Sequence, residues 1–178
     1  MANYDVQLIM RWENDGEPAK EPVLPEGVTV ETFPERENAL NEWLDIVQYG
    51  LSGGLMGEEY YINCMTNRPL YDDKFCHFIV KDGKAVATIT VICDYEKKEG
   101  YIHMVACKPE CRGQGLGTLL NDIAMSVLKN ENMQTAYLTT DDFRIPAIKS
   151  YLRCGFTPDL STDDFKERWA KIMEEISK

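Results

Sequence analysis

The chain has 178 residues, with 19 Lys and Arg against 30 Asp and Glu, a formal charge of −11. At this length folding hides roughly 68–70% of the unfolded chain's surface, so a core forms without disulfide or metal staples, and 44% apolar with 10% aromatic residues excludes a disordered chain. The acidity argues against sequence-independent nucleic-acid binding, which needs a dense Lys and Arg footprint, and no apolar run approaches the roughly 20 residues that span a bilayer.

Met1 to Trp12 lacks a basic region followed by an uninterrupted apolar stretch, so no secretory leader is read there and a cytoplasmic protein is expected. Val6 to Trp12 and Val28 to Phe33 have strand character and flank a polar loop with Pro18, Pro22 and Pro25. Glu35 to Tyr49 reads as a helix with Leu40, Trp43, Leu44 and Val47 on one stripe, stopped by Gly50. After the glycine-rich joint Ser52 to Gly57, Glu58 to Thr66 reads as a second, short helix.

Phe75 to Val80 and Ala85 to Cys93 are β-branched or aromatic runs joined by Asp82-Gly83, a pair that permits the positive φ of a tight hairpin. Tyr101 to Cys107 completes a three-stranded meander. Leu116, Leu119, Leu120, Ile123, Val127 and Leu128 then recur at helical spacing up to Asn130, followed by a strand over Thr135 to Thr140. Asp142 to Cys154 reads as a helix with Pro146 in its first turn and Gly155 as its stop, and Phe165, Trp169, Ile172, Met173 and Ile176 form the stripe of a last helix. At most one short strand is expected after Gly155, with the N-terminal strand extending the sheet elsewhere. Cys64, Cys76, Cys93, Cys107, Cys111 and Cys154 show no CxxC spacing and have only His77 and His103 to join them, so reduced thiols and no metal site are expected.

The chemistry concentrates at Cys111-Arg112-Gly113-Gln114-Gly115-Leu116-Gly117-Thr118. Glycines at a strand-to-helix junction leave backbone amides uncovered at the positive end of the helix, where phosphate binds. A nucleoside-triphosphate loop needs a lysine that is absent after Gly117, and the dinucleotide fingerprint needs GxGxxG opening a parallel βαβ unit, whereas these glycines follow antiparallel strands. The pattern that is met is Arg-x-x-Gly-x-Gly, at Arg112, Gly115 and Gly117. Downstream, Ala147, Tyr151, Gly155 and Phe156 follow Ala-x-x-x-Tyr-x-x-x-Gly-Phe, and Ala147 and Tyr151, at i and i+4, share one helix face.

These two motifs together resemble the GNAT N-acetyltransferase superfamily. The resemblance implies an α+β fold, a mixed and mostly antiparallel sheet flanked by helices and closed by a C-terminal helix, in a single domain over residues 1–178. It implies acetyl-CoA as cosubstrate, with pantetheine against the backbone of Val105, Ala106 and Cys107, pyrophosphate on Arg112, Gly113, Gln114, Gly115, Leu116, Gly117 and Thr118, and Ala147 leaving room beside the phenol. The reaction implied is direct attack of a primary amine, on a small molecule or peptide, at the thioester. Tyr151 is then the general acid for the sulfur. Glu99, His103 and Asp141 are nearby candidate bases, beside a water relay; His103 titrates in the useful range, and strand alternation sets it on the face of Tyr101 and Val105.

Two features depart from the family pattern: Arg144 stands where many members carry Asn, and the chain after Phe156 lacks an obvious final strand pair; Asp141 and Asp142 read as caps of the helix that follows or as groups that attract a cationic substrate near the end of the strand. Arg112 and Lys108 are expected to supply positive charge beside the loop, and the overall acidity favours a cationic amine acceptor. No nucleic acid, membrane or metal partner is expected, and a homodimer is allowed. The alternative function is a noncatalytic acyl-CoA-binding or regulatory domain on the same scaffold.

Overall fold

The computed structural model describes residues 6–177. Seven strands form one sheet: β1 (Leu8–Glu13), β2 (Val28–Thr32), β3 (Cys76–Lys81), β4 (Lys84–Asp94), β5 (Glu99–Cys107), β6 (Thr135–Thr140) and β7 (Thr157–Pro158). Their spatial order is β2-β3-β4-β5-β6-β1-β7, and every neighbour is antiparallel except the β5–β6 pair. The helices are α1 (Ala39–Val47), α2 (Glu58–Tyr61), α3 (Leu116–Asn130), α4 (Ile145–Arg153) and α5 (Asp163–Ile176).

The central position of β4 follows from its sequence. Ala85 to Cys93 is buried without interruption, so both faces need cover. Phe78 and Val80 of β3 meet Trp43 and Val47 of α1 on one side of the sheet, while β4 residues such as Ile89 and Val91 meet Leu120, Trp169 and their neighbours from α3, α4 and α5 on the other. Asp82 and Gly83, at φ 51° and 75°, make the expected hairpin turn. Gly100 lets α3 lie close: a Cβ there would stand 2.0 Å from Leu128 Cδ2, so the buried leucine would have to shift.

The N-terminal strand does extend the sheet. Leu8, Met10 and Trp12 point into the core, and β1 pairs with β6 along its whole length and with the two residues of β7. Because α5 occupies most of the chain after Phe156, β7 is too short to shield β6 alone, and β1 lies between them.

Three helices differ most from the sequence reading. The helix expected from Glu35 starts at Ala39, after a single tight turn over Phe33–Glu35. Arg36 is extended there, which lets its guanidinium bridge Glu31 on β2 (2.6 Å) and Glu42 on α1 (2.5 Å). The short second helix widens after Tyr61, where the amide of Asn67 reaches back five residues to the carbonyl of Ile62 (2.9 Å). The helix expected from Asp142 starts at Ile145, and neither aspartate caps it: Asp141 accepts from Arg144 Nε (2.7 Å) and Gln7 Nε2 (3.0 Å), while Asp142 pairs with Arg168 of α5.

Candidate active site

The β5–β6 ladder runs from Glu99↔Thr135 to Ile102↔Leu138 and then stops, so the two parallel strands part toward their C-terminal ends. The parting has a local cause. Between the β4 partners Thr90↔His103 and Thr88↔Ala106, β5 carries one more residue than β4, and Met104 takes up the bulge at φ 53°. The bulge also changes faces. His103 keeps the side of Tyr101, but Val105 packs with the α3 and α4 core, so the alternation expected to set Val105 beside His103 is broken at Met104.

A cleft of about 480 Å³ opens on the α3–α4 side of the parting. Val105, Cys107, Arg112, Gly113, Gly115, Leu116, Gly117, Ala147 and Tyr151 line it, which brings most of the residues picked from the two motifs to one place. Gln114 and Thr118 lie on the same loop but outside the cleft wall, and the Ala106 side chain turns to the opposite face, leaving its backbone on the parted strand.

The loop is built to expose amides. Gly115, at φ 80°, is the residue before the first turn of α3 and offers no capping side chain, and Gly113 is also left-handed at φ 74°. Among the described residues, the amides from Gly113 to Thr118 donate to no protein carbonyl, so they converge uncommitted at the helix's positive end. Gly117 is not required by the backbone or by packing, since a Cβ there would meet nothing within 4 Å; its bareness keeps the cleft open.

Positive side chains contribute less than expected. Lys108 pairs with Asp45 (2.5 Å), and Arg112 donates to the carbonyls of Cys107 (3.3 Å) and Tyr49 (2.6 Å). An anion in the cleft therefore meets amides rather than free cations. Two residues that the sequence reading missed sit deeper: Asn121 of α3 donates to Ser150 Oγ of α4 (2.8 Å), while its Oδ1 is buried without a partner among the described residues. The available signal was a polar residue, Asn121, on the face of α3 otherwise buried through Leu120, Ile123, Ala124 and Leu128. Uncommitted amides, glycine openings and an orphaned amide oxygen fit a long ligand with a phosphate end and a polar amide chain.

On the opposite side of the parting lies a second cavity of about 340 Å³. Tyr60, Cys64, Arg68, Tyr101, His103, Asp141 and Arg144 line it, together with Val105 and Tyr151, which belong to both cavities. Trp43, Tyr61 and Trp169 are core residues and do not line it. Glu99 lies at the closed end of the ladder, opposite Thr135.

Tyr151 is 7% exposed, and its hydroxyl makes no hydrogen bond to any described residue. Burial pushes its phenol up to about 12, against the opposing pull of the nearby Arg144 charge, so it is protonated at neutral pH. His103 is held at both nitrogens. The widened turn after α2 leaves the Cys64 carbonyl free for side chains, and it accepts from His103 Nε2 (2.9 Å) and Arg68 Nε (3.2 Å). A proton on Nε2 leaves Nδ1 to accept from the Tyr101 hydroxyl at 3.2 Å. Among the described residues no group of His, Cys, Asp and Glu side chains is assembled that could hold a metal ion, and all six cysteines are free.

Burial lowers the His103 pKa to about 4, from an ordinary value near 6.5. Between those values the unfolded chain takes up a proton that the folded chain refuses, so His103 costs stability as pH falls from 6.5 toward 4, by about 3 kcal/mol over that window. Urea unfolding at pH 7 and pH 4.5 is expected to show His103→Asn losing less stability on acidification than the parent chain. His77, also lowered by burial, adds the same trend to both proteins and cancels in the difference. Equal losses in the two proteins would show that His103 is not held neutral.

A parallel pair that parts beside a glycine loop, with one tyrosine facing both sides, defines an acyl-CoA N-acyltransferase architecture. The chain belongs to the acetyltransferase (GNAT) family, whose pattern it matches over residues 38–156. It is 34% identical over 143 residues to a mycothiol acetyltransferase of Streptomyces griseus, an alignment covering 77% of this chain and 45% of that one. The chain thus spans about half the length of the curated relatives it matches. Among solved structures, a GCN5-related N-acetyltransferase from Sphaerobacter thermophilus superposes with TM-score 0.70 at 21% identity, covering 85% of this chain and 48% of that one. Naa50 of Arabidopsis thaliana, in complex with a bisubstrate analogue CoA-Ac-MVNAL, superposes with TM-score 0.57 at 19% identity, covering 74% and 83%. These structural likenesses establish the shared fold.

Proposed function

We propose that this chain is an acetyl-CoA-dependent N-acetyltransferase that passes an acetyl group to a primary amine of a small molecule or peptide by direct attack on the thioester. The observation that carries this reading is the pair of cavities on opposite sides of one parted strand pair, sharing Val105 and Tyr151. A donor entering from the glycine loop and an acceptor entering from the α2 side meet only there. The similarity to mycothiol acetyltransferases supports a small-molecule acceptor.

In this reading the amides from Gly113 to Thr118 hold the pyrophosphate, and the parted backbone of Val105, Ala106 and Cys107 holds the pantetheine arm. Backbone amides of the parted strand stabilise the carbonyl oxygen as it gains charge. Tyr151 donates to the sulfur as the C–S bond breaks. Burial keeps its phenol protonated and disfavours a bare thiolate beside it by the same cause, so the two groups stay comparable in basicity as the proton moves to sulfur and the charge to the phenol oxygen.

The amine's proton has a route through Tyr101, whose hydroxyl donates to His103 Nδ1. His103, neutral and lining the acceptor cavity, is the candidate base at the end of that route, and its lowered pKa makes it weak. Asp141 is committed to Arg144 and Gln7. An amine that enters already neutral needs no stronger base.

Thiol release from acetyl-CoA across a panel of primary amines tests the proposal, with acetyl-CoA affinity measured separately by calorimetry. Release is expected only when an amine is present. Gly115→Glu, which forces a side chain onto a left-handed backbone at φ 80° and adds charge among the amides, is expected to weaken acetyl-CoA binding at least 100-fold, following the loss of two or more charge-assisted hydrogen bonds. Binding to the parent chain with no release for any amine would favour a noncatalytic acyl-CoA-binding domain.

A further inference from the structure

The acceptor cavity has a charge pattern opposite to that of the whole chain. Although the net charge is −11, among the described residues no uncommitted carboxylate lines this cavity. The one acidic side chain among them, Asp141, accepts from Arg144 Nε and Gln7 Nε2. His103 is kept neutral by burial. Arg144 is committed at a second point, donating through Nη2 to the carbonyl of Gly50 (2.7 Å).

Arg68 is different. It is fixed in place by Nε on the Cys64 carbonyl (3.2 Å) and by its guanidinium lying 5.6 Å from the centre of the Tyr101 ring, which in turn stacks on Tyr137 at 4.6 Å. Among the described residues no carboxylate pairs with it, and its two terminal nitrogens make no hydrogen bond. An oriented guanidinium with its fork free at the edge of a cavity suits a planar anion. Thr140 Oγ1, buried and without a partner among the described residues, adds a hydroxyl to the same cavity wall.

We propose that the acceptor carries a carboxylate as well as its amine, and that Arg68 binds this carboxylate through Nη1 and Nη2. The proposal rests on the reading of this cavity as the acceptor side. It replaces the expectation of a purely cationic amine, since among the described residues such a molecule would find a cation and no free anion in the cavity. The net acidity of the surface does not transfer to the pocket, because the carboxylate within reach is already paired.

The test uses a homologous series of ω-amino carboxylates, the matching ω-amino carboxamides and the matching alkylamines, with kcat/KM measured by thiol release from acetyl-CoA. For at least one chain length the parent protein is expected to favour carboxylate over carboxamide about tenfold or more, the usual scale for a hydrogen-bonded charge. Arg68→Met is expected to bring that ratio to about one, and Arg68→Lys to keep part of it. Because the ratio is taken within each variant, a general loss of turnover does not imitate the effect. Equal use of carboxylate and carboxamide by the parent, or an unchanged ratio in Arg68→Met, overturns the proposal. If no amine is acetylated, the acetyltransferase reading fails by itself. Calorimetric binding of the ω-amino carboxylate, saturable in the parent and lost in Arg68→Met, then still reads the Arg68 site, and no binding to the parent overturns it.

Discussion

Tyr151→Phe is expected to lower kcat for acetyl transfer by about 100-fold or more, the scale of a lost general acid, while changing the affinity for acetyl-CoA little. The hydroxyl makes no hydrogen bond to any described residue, so its removal leaves no protein group unpaired, and the ring still fills the space between α4 and Phe156. Stability is therefore expected to stay within about 1 kcal/mol of the parent. The separation between kcat and binding is the diagnostic part. A phenol that only packs would leave turnover intact, and a variant with full turnover would remove Tyr151 from the acid role. Substrates with a more acidic leaving thiol are expected to lose less on this substitution, because a stable thiolate needs less help from a proton donor.

Arg168→Ala is expected to destabilise the fold by about 3–5 kcal/mol, the range for removing one member of a buried ion pair. Arg168 is 1% exposed and lies on α5. It pairs with both carboxylate oxygens of Asp142, with Asp164 (3.2 Å) and with the carbonyl of Val6 (2.8 Å), so one guanidinium ties the C-terminal helix to the β6–α4 connection and to the chain entering β1. Its loss leaves two partly buried carboxylates facing a cavity. Urea unfolding measures the effect, and Arg168→Met combined with Asp142→Asn is expected to recover part of it, since the stranded charge is then gone. A loss below about 1 kcal/mol in Arg168→Ala would show that the pair only balances its own desolvation. Activity is expected to fall as well, because Asp142 directly follows Asp141, which lines the second cavity with Arg144.

The cleft beside the glycine loop was legible from the chain because its geometry is local. Gly113, Gly115 and Gly117 lie within five consecutive residues, and Ala147 and Tyr151 share one helical face, so short-range spacing carries the geometry. The second cavity is assembled from Arg68 after α2, Tyr101 and His103 on β5, and Asp141 and Arg144 after β6, which no local pattern joins. Strand alternation failed for Val105 for a related reason. The bulge at Met104 is a residue in excess over β4, and an excess is defined only against the partner strand. The caps assigned to Asp141 and Asp142 went instead to Arg144 and Arg168, because a guanidinium brought close in space binds a carboxylate more strongly than a helix amide does.

The sequence by itself determined the family, the mixed and mostly antiparallel sheet, the glycine loop before α3 and the tyrosine of α4 that shares its cleft, since each is written in periodicity or in motifs a few residues long. Its composition also set a net charge of −11. Only the tertiary structure decided where that charge acts. It spent Asp142 and Asp45 on an arginine and a lysine far along the chain, turned Val105 across the sheet, inserted β1 between β6 and β7, and left Arg68 as an oriented guanidinium at the second cavity. The physical reason is that an ion pair and a strand register are properties of two segments distant in the chain, whereas a glycine loop or a helix face belongs to one.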